Sequence, residues 1–160
     1  MTSPTAEHPS IRAFREQLHR LGAAGPVVVL PEAAHTAALA AQAGGCVVGA
    51  IANSLLFDAG GRPVLILTSG AHRVDTAKAA AVLGVARLRR ASPEFVREHT
   101  GQVICGVSPL GHPAPVPTSI DPWLQRHDEL WAAAGHPSAV FRTSYDELVR
   151  LTGAAPLEVE

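Results

Sequence analysis

Tyrosine and lysine occur once each in these 160 residues and cysteine only twice, and each scarcity removes a class of function. With one Tyr, four Phe and two Trp, aromatics are too sparse for a base-stacking platform, which disfavours a sequence-reading RNA module. Cys46 and Cys105 show no Cys-x-x-Cys spacing and sit among apolar residues or glycine, so they read as buried free thiols in a reducing compartment. No apolar run approaches the roughly 18 residues needed to cross a bilayer, and MTSPTAEHPS lacks the basic-then-apolar pattern of a leader. The expectation is a cytoplasmic protein with no membrane partner. A formal net charge of -1 supplies no general attraction to polyphosphate. Any nucleic-acid contact must then come from a local patch such as Arg87, Arg89 and Arg90, which taken alone reads as a solvated face.

What is present is a globular balance of 47% hydrophobic and 17% charged residues, enough for one domain that buries about two thirds of its unfolded surface. Ile11, Phe14, Leu18 and Leu21 follow helical spacing up to Gly22. Val27 to Leu30 reads as a strand ended by Pro31, and the alanine-rich stretch from His35 to Ala43 as a helix broken by Gly44-Gly45. Val47 to Phe57 and Pro63 to Thr68, joined by Asp58-Ala59-Gly60-Gly61, form the best-defined element, a hairpin. Asp75 caps a helix to Leu83, and Ser92-Pro93-Glu94 starts another to His99. Val116 to Ile120, Leu130 to Ala134 and Ala139 to Arg142 read as strands, and Ser144 with Glu147 as a capping box for the last helix before Gly153.

The helices interrupt six or seven strands without strict β-α alternation. The expected fold class is therefore α+β: a single domain with a mixed, curved sheet backed by helices. It spans residues 9–153, between loose ends at 1–8 and 154–160.

The histidines His35, His72, His99, His112, His127 and His136 are scattered singly, with no helical i, i+4 pair and no accompanying cysteine pair, so no metal is expected. Ser54, Ser69 and Ser108 lack a Gly-x-Ser-x-Gly elbow, and no Walker or dinucleotide fingerprint is present, so no cofactor is expected either. Gly106-Val107-Ser108-Pro109-Leu110-Gly111 is too rich in glycine and proline for a helix or a central strand. Such a loop can turn successive N–H groups toward one point, which makes it a candidate cradle for an anion or a carbonyl, although most Gly/Pro turns simply connect strands.

Four segments, HTAALAAQAGG at 35–45, IANSLLF at 51–57, GVSPLGH at 106–112 and WAAAGHP at 131–137, together resemble the YbaK/EbsC family of aminoacyl-tRNA deacylases, relatives of the editing domain of bacterial prolyl-tRNA synthetases. TSGAHRVDTAK at 68–78 and the Thr-Gly pair at 100–101 extend the resemblance, which runs from Val27 to Thr152. It implies a barrel-like mixed sheet and an enzyme that hydrolyses the ester joining a wrong amino acid to a tRNA 3′ end. The implied partner is a tRNA acceptor end carrying a mischarged amino acid, with an aminoacyl-tRNA synthetase as a further candidate and the oligomeric state left open.

The resemblance places the catalytic groups at Asn53 and at Gly106, Val107 and Ser108, and the substrate-binding groups at His35, Thr36, Ser54, Pro109, Gly111, Gly135 and His136. Two departures stand out. The position where many family members carry lysine holds Asn53, and glycine is replaced by Cys105 ahead of the loop. Asn53 keeps a neutral N–H donor, able to act as an oxyanion-hole amide if it converges with the loop N–H groups on one hollow. The alternative is a non-catalytic binding module for an aminoacyl-adenosine-like ligand or a synthetase.

Overall fold

A computed structural model describes residues 8–23, 25–31, 33, 36–104 and 106–160. Among these residues five α-helices lie around one mixed sheet. α1 (Pro9–Arg20) has proline in its first turn and turns Ile11, Phe14 and Leu18 inward. α2 (Ala37–Gly44) is capped by Thr36, whose hydroxyl accepts the Leu39 N–H. α3 (Thr76–Leu83) is capped by Asp75, α4 (Pro93–Thr100) by Ser92 and α5 (Tyr145–Thr152) by Ser144. α2 to α5 each end on a left-handed glycine, the one conformation there that a residue with a Cβ resists.

The strands are β1 (Val27–Val29), β2 (Ile51–Ala59), β3 (Arg62–Ser69), β4 (Arg89–Arg90), β5 (Thr118–Ile120), β6 (Leu130–Ala133), β7 (Ala139–Thr143) and β8 (Ala155–Pro156). Their order is β1-β7-β6-β2-β3-β5-β8, with β4 on β2. β2 with β6, β3 with β5 and β5 with β8 run parallel, and the other pairs antiparallel. β3 is buried on both faces, which explains its unbroken Val-Leu-Ile-Leu run. Leu65 and Leu67 join a core with α1, α4 and α5, while Val64 and Ile66 join a second core under α3.

The expected α+β fold, one mixed sheet backed by helices, is present, and three finer expectations need correction. Among the described residues the sheet has eight strands where six or seven are expected, and it is not closed, because no pairing joins β1 to β8. Val48–Ala50, expected to be extended, is a 3₁₀ turn that leads into β2. Residues 154–160 do not fray. Leu157 and Val159 are 3% and 1% exposed, and Glu158 and Glu160 alternate with them toward solvent or the neighbouring loop. The Leu157 N–H donates to the Ile120 carbonyl, and the Asp75 N–H to that of Val159.

Truncating a buried side chain leaves a cavity that the surroundings only partly fill. Leu157→Ala should therefore lower unfolding free energy by about 2–5 kcal/mol in urea titration, with an unchanged m-value. A loss below about 0.5 kcal/mol would mean that the segment behaves as an ordinary surface position.

Candidate active site

The β2–β3 hairpin sets the site. A two-residue turn at Gly60-Gly61 closes the ladder at Ala59–Arg62, and the register runs without a bulge to Ala52–Ser69. Along the other edge of β2, β6 pairs only at Ile51 and Ala52, and β4 only at Phe57 and Asp58. The sheet is thus split beside residues 53–56. β6 leaves because its chain turns at Gly135, with φ +85°, and then meets Pro137, which has no N–H to donate. β4 stops because Ala91 runs into the Ser92 cap of α4.

A cavity of about 600 Å³ occupies this split. Seven consecutive residues, Ile51 to Phe57, line it. Because strand side chains alternate between faces, a whole run can line one cavity only if the cavity lies along the strand's edge. Trp131, Ala132, Ala133, Ala139 and Val140 form a small apolar wall opposite, and Arg73 and Arg90 bring cationic side chains to it.

Of the residues expected at a site, Thr36, Asn53, Ser54, Val107 and His136 line this cavity. Gly106, Ser108, Pro109, Gly111 and Gly135 are not among its lining residues, and His35, like Cys105, lies outside the described residues. The cradle expected of the loop is correspondingly reduced. The Gly106 N–H donates to the Val103 carbonyl at 3.0 Å and the Ser108 N–H to Gln102 Oε1 at 2.8 Å, which leaves Val107 as the candidate donor of the three.

Ser108 is 0% exposed and forms a structural knot. Its hydroxyl donates to the Leu110 carbonyl and accepts from Gln102 Nε2, while its carbonyl accepts from His112 Nε2 at 2.9 Å. A Cβ on Gly106 would lie within 2.9 Å of the His136 and Pro137 backbone, so glycine there permits close packing of the loop under the β6–β7 turn rather than ligand approach. A Cβ on Gly111 would strike the Gln17 side chain.

Asn53 and the loop N–H groups are expected to converge on one hollow, but strand alternation puts the Asn53 side chain on the other face of the sheet from Val107. Ala52 and Leu56 point into the core that includes Val107, whereas Leu55 and Phe57 point toward α3, and Asn53 shares their face. Asn53 and Val107 meet in one cavity because it passes around the open edge of β2.

His136 Nδ1 accepts the Ser138 N–H at 3.0 Å, so the neutral ring carries its proton on Nε2 and presents a donor. Burial, and secondly the His8 ring at 4.4 Å, lower its pKa and favour that neutral form.

His72 also lines the cavity, and the sequence held no local sign of its role. Its Nδ1 lies 2.7 Å from Asp121 Oδ2, 49 positions away, its Nε2 lies 3.4 Å from Glu160 Oε1, and its ring lies 4.8 Å from Trp123. Asp121 is buried and also accepts the N–H groups of Ser69 and Trp123, so it fixes the imidazole rigidly. Among the described residues, no group of three His, Cys, Asp or Glu is arranged to hold a metal ion, and no helix is long and apolar enough to cross a membrane.

A model of the aminoacyl-tRNA editing domain matches residues 31–151. A solved structure provisionally described as a trans-editing enzyme for prolyl tRNA synthetase is similar, with 42% identity, a TM-score of 0.90 and coverage of 97% of this chain and 99% of that one. The uncharacterized protein YwhH of Bacillus subtilis (strain 168) is 27% identical over 140 residues, 87% of this chain and 88% of that protein. The hypothetical protein APE2540 shares the fold at 24% identity, with a TM-score of 0.84 over 92% of this chain and 98% of the other.

His112, below the site, gives a titration test. Burial lowers its pKa below the ordinary 6.5, against the opposing hydrogen bond to the Ser108 carbonyl. Above the unfolded value neither state binds the proton and the full contribution to stability is present. As pH falls through that value the unfolded chain takes up its proton first, and stability is lost. An NMR titration should place the His112 midpoint below 6.5, and a midpoint at or above it would contradict the burial account.

Proposed function

The chain belongs to the aminoacyl-tRNA editing domain family, and we propose that it is a hydrolase that clears mischarged aminoacyl-tRNA in trans. The observation that carries this reading is that Asn53, which stands where the family resemblance places its functional lysine, lies in the wall of the 600 Å³ cavity with His136 and Val107. An aminoacyl ester is already reactive, so the site needs only to orient a water and stabilise the developing oxyanion. The water oxygen bonds to the ester carbonyl carbon, the bond from that carbon to the ribose oxygen breaks, and the proton released from the water ends on the ribose oxygen. The Asn53 carboxamide N–H supplies a neutral donor to the carbonyl oxygen. His136 Nε2–H serves the terminal ribose or the amino acid, and Thr36 stands at the mouth. The alanine wall admits small side chains and excludes large ones by size, since an apolar pocket separates single methylenes by only about 1–3 kcal/mol.

The neutral side chain at 53 also favours a second reading, a binding module that has lost hydrolysis. A deacylation panel of mischarged tRNAs, run with the native protein, Asn53→Ala and Asn53→Lys, separates the two. The native protein should turn over at least one substrate, with Asn53→Ala slower by about 10²–10³. No turnover of any substrate by the native protein would remove the hydrolase reading.

Arg73 and Arg90 fit the phosphates of a single-stranded acceptor end. Arg73→Ala and Arg90→Ala should each raise KM with kcat little changed and make the slope of log affinity against log salt shallower by about 0.7. An unchanged slope would place the tRNA backbone elsewhere.

A further inference from the structure

The split beside β2 leaves backbone groups that face the cavity without a strand partner. One closing pair and two hydrogen bonds fix which way each residue of β2 points. The closing pair Ala59–Arg62, the Gly70 N–H on the Ile51 carbonyl, and the Leu65 N–H directed to the Pro117 carbonyl of the β5 side together assign the odd-numbered residues of β2 to β3. The even-numbered residues 52, 54, 56 and 58 therefore direct N–H and C=O to the opposite edge. Ala52 meets β6 there, and Asp58 meets β4. Leu56 and Ser54 lie between the two ladders, and no strand pairs with either on that edge among the described residues; the one with a polar side chain is Ser54. Its Oγ is also buried without a hydrogen-bond partner. A central strand thus directs the N–H and C=O of one residue to the edge along which a partly apolar cavity lies, with that residue's hydroxyl buried behind them, and unmade hydrogen bonds there are costly.

We propose that Ser54 holds the substrate by its α-aminoacyl group, as a one-residue addition to the sheet, an inference that rests on the hydrolase reading above. In an extended amino-acid residue the nitrogen and the carbonyl oxygen point to the same side, at the spacing of the C=O and N–H of the strand residue opposite. The substrate ammonium donates to the Ser54 carbonyl, and the Ser54 N–H donates to the substrate carbonyl, adding a second donor for the oxyanion beside Asn53. The gap between β6 and β4, beside residues 53–56, receives the aminoacyl group at Ser54. The substrate class is thereby narrowed to acyl groups with a free α-amino nitrogen, recognised through atoms common to every amino acid, while the alanine wall sorts side chains.

The test uses the full chain and two hydrolysis-resistant probes, 3′-glycylamino-3′-deoxyadenosine and 3′-acetylamino-3′-deoxyadenosine, which differ only in the α-amino group. In the free protein the Ser54 amide should exchange with solvent much faster than those of Asn53 and Leu55. The glycyl probe should slow it at least about tenfold and bind at least about tenfold tighter than the acetyl probe. Equal protection of residues 53, 54 and 55 in the free protein, or equal binding of the two probes, overturns the inference. Turnover in the tRNA panel without Ser54 protection overturns it and leaves the hydrolase reading intact. Protection of Ser54 without turnover leaves the recognition intact and removes hydrolysis. Failure of both probes together with absent turnover removes both.

Discussion

The lateral hydrogen bonding of β2 is the constraint on which the rest of the structure depends. Its ladder to β3 is continuous, which makes the hairpin the rigid centre of the sheet, and the runs on either side of the other edge are only two residues long. A strand in this position ordinarily has both edges paired, since backbone groups removed from water need partners. Here the sheet is held together above and below an opening, and the helices close over both faces. The cavity is therefore not a dent in a surface but an interruption in the hydrogen-bond network, walled by main chain as much as by side chains.

That arrangement explains why conformationally special residues cluster around the opening. Gly135 and Pro137 end β6 at the lower margin, Ser92 and Pro93 end β4 at the upper one, and Gly106 lets the following loop pack directly on the turn that β6 makes. Ser108 and Gln102 then lock the loop from beneath. His72, anchored on buried Asp121, and His136, anchored on the Ser138 N–H, stand on different elements yet face the same space. Each imidazole is oriented by one short contact, which gives the cavity fixed polar points among alanines.

Much of the local structure could be read from the residues. Helix caps at Asp75, Ser92 and Ser144 act through a side chain and the amide three positions on, and the Gly60-Gly61 turn acts between adjacent strands, so both leave compact signatures. Asn53, Ser54, Val107 and His136 lie in segments that carry the family resemblance and line one cavity, whereas the bonding of the Gly106 and Ser108 N–H groups to Val103 and Gln102 left no signature in the glycine and proline content of the loop. Features that depend on distant pairing were not legible. β4 is two exposed arginines made strand only by their register on β2, and the His72–Asp121 contact joins a loop to the cap of a second 3₁₀ turn, Pro122–Arg126. The end of the chain is an instructive miss: Leu157 and Val159 alternate with glutamates in the strand period, but the short run closes the α3 core only by reaching Ile120 and Asp75.

The docked position of residues 157–160 also bears on how this domain is joined to anything else. Glu160 accepts the Arg73 N–H through its side chain, and its carbonyl accepts from Lys78, so polypeptide extended beyond that point would emerge beside the arginine at the cavity rim. A group tethered there would be held at high local concentration over the opening.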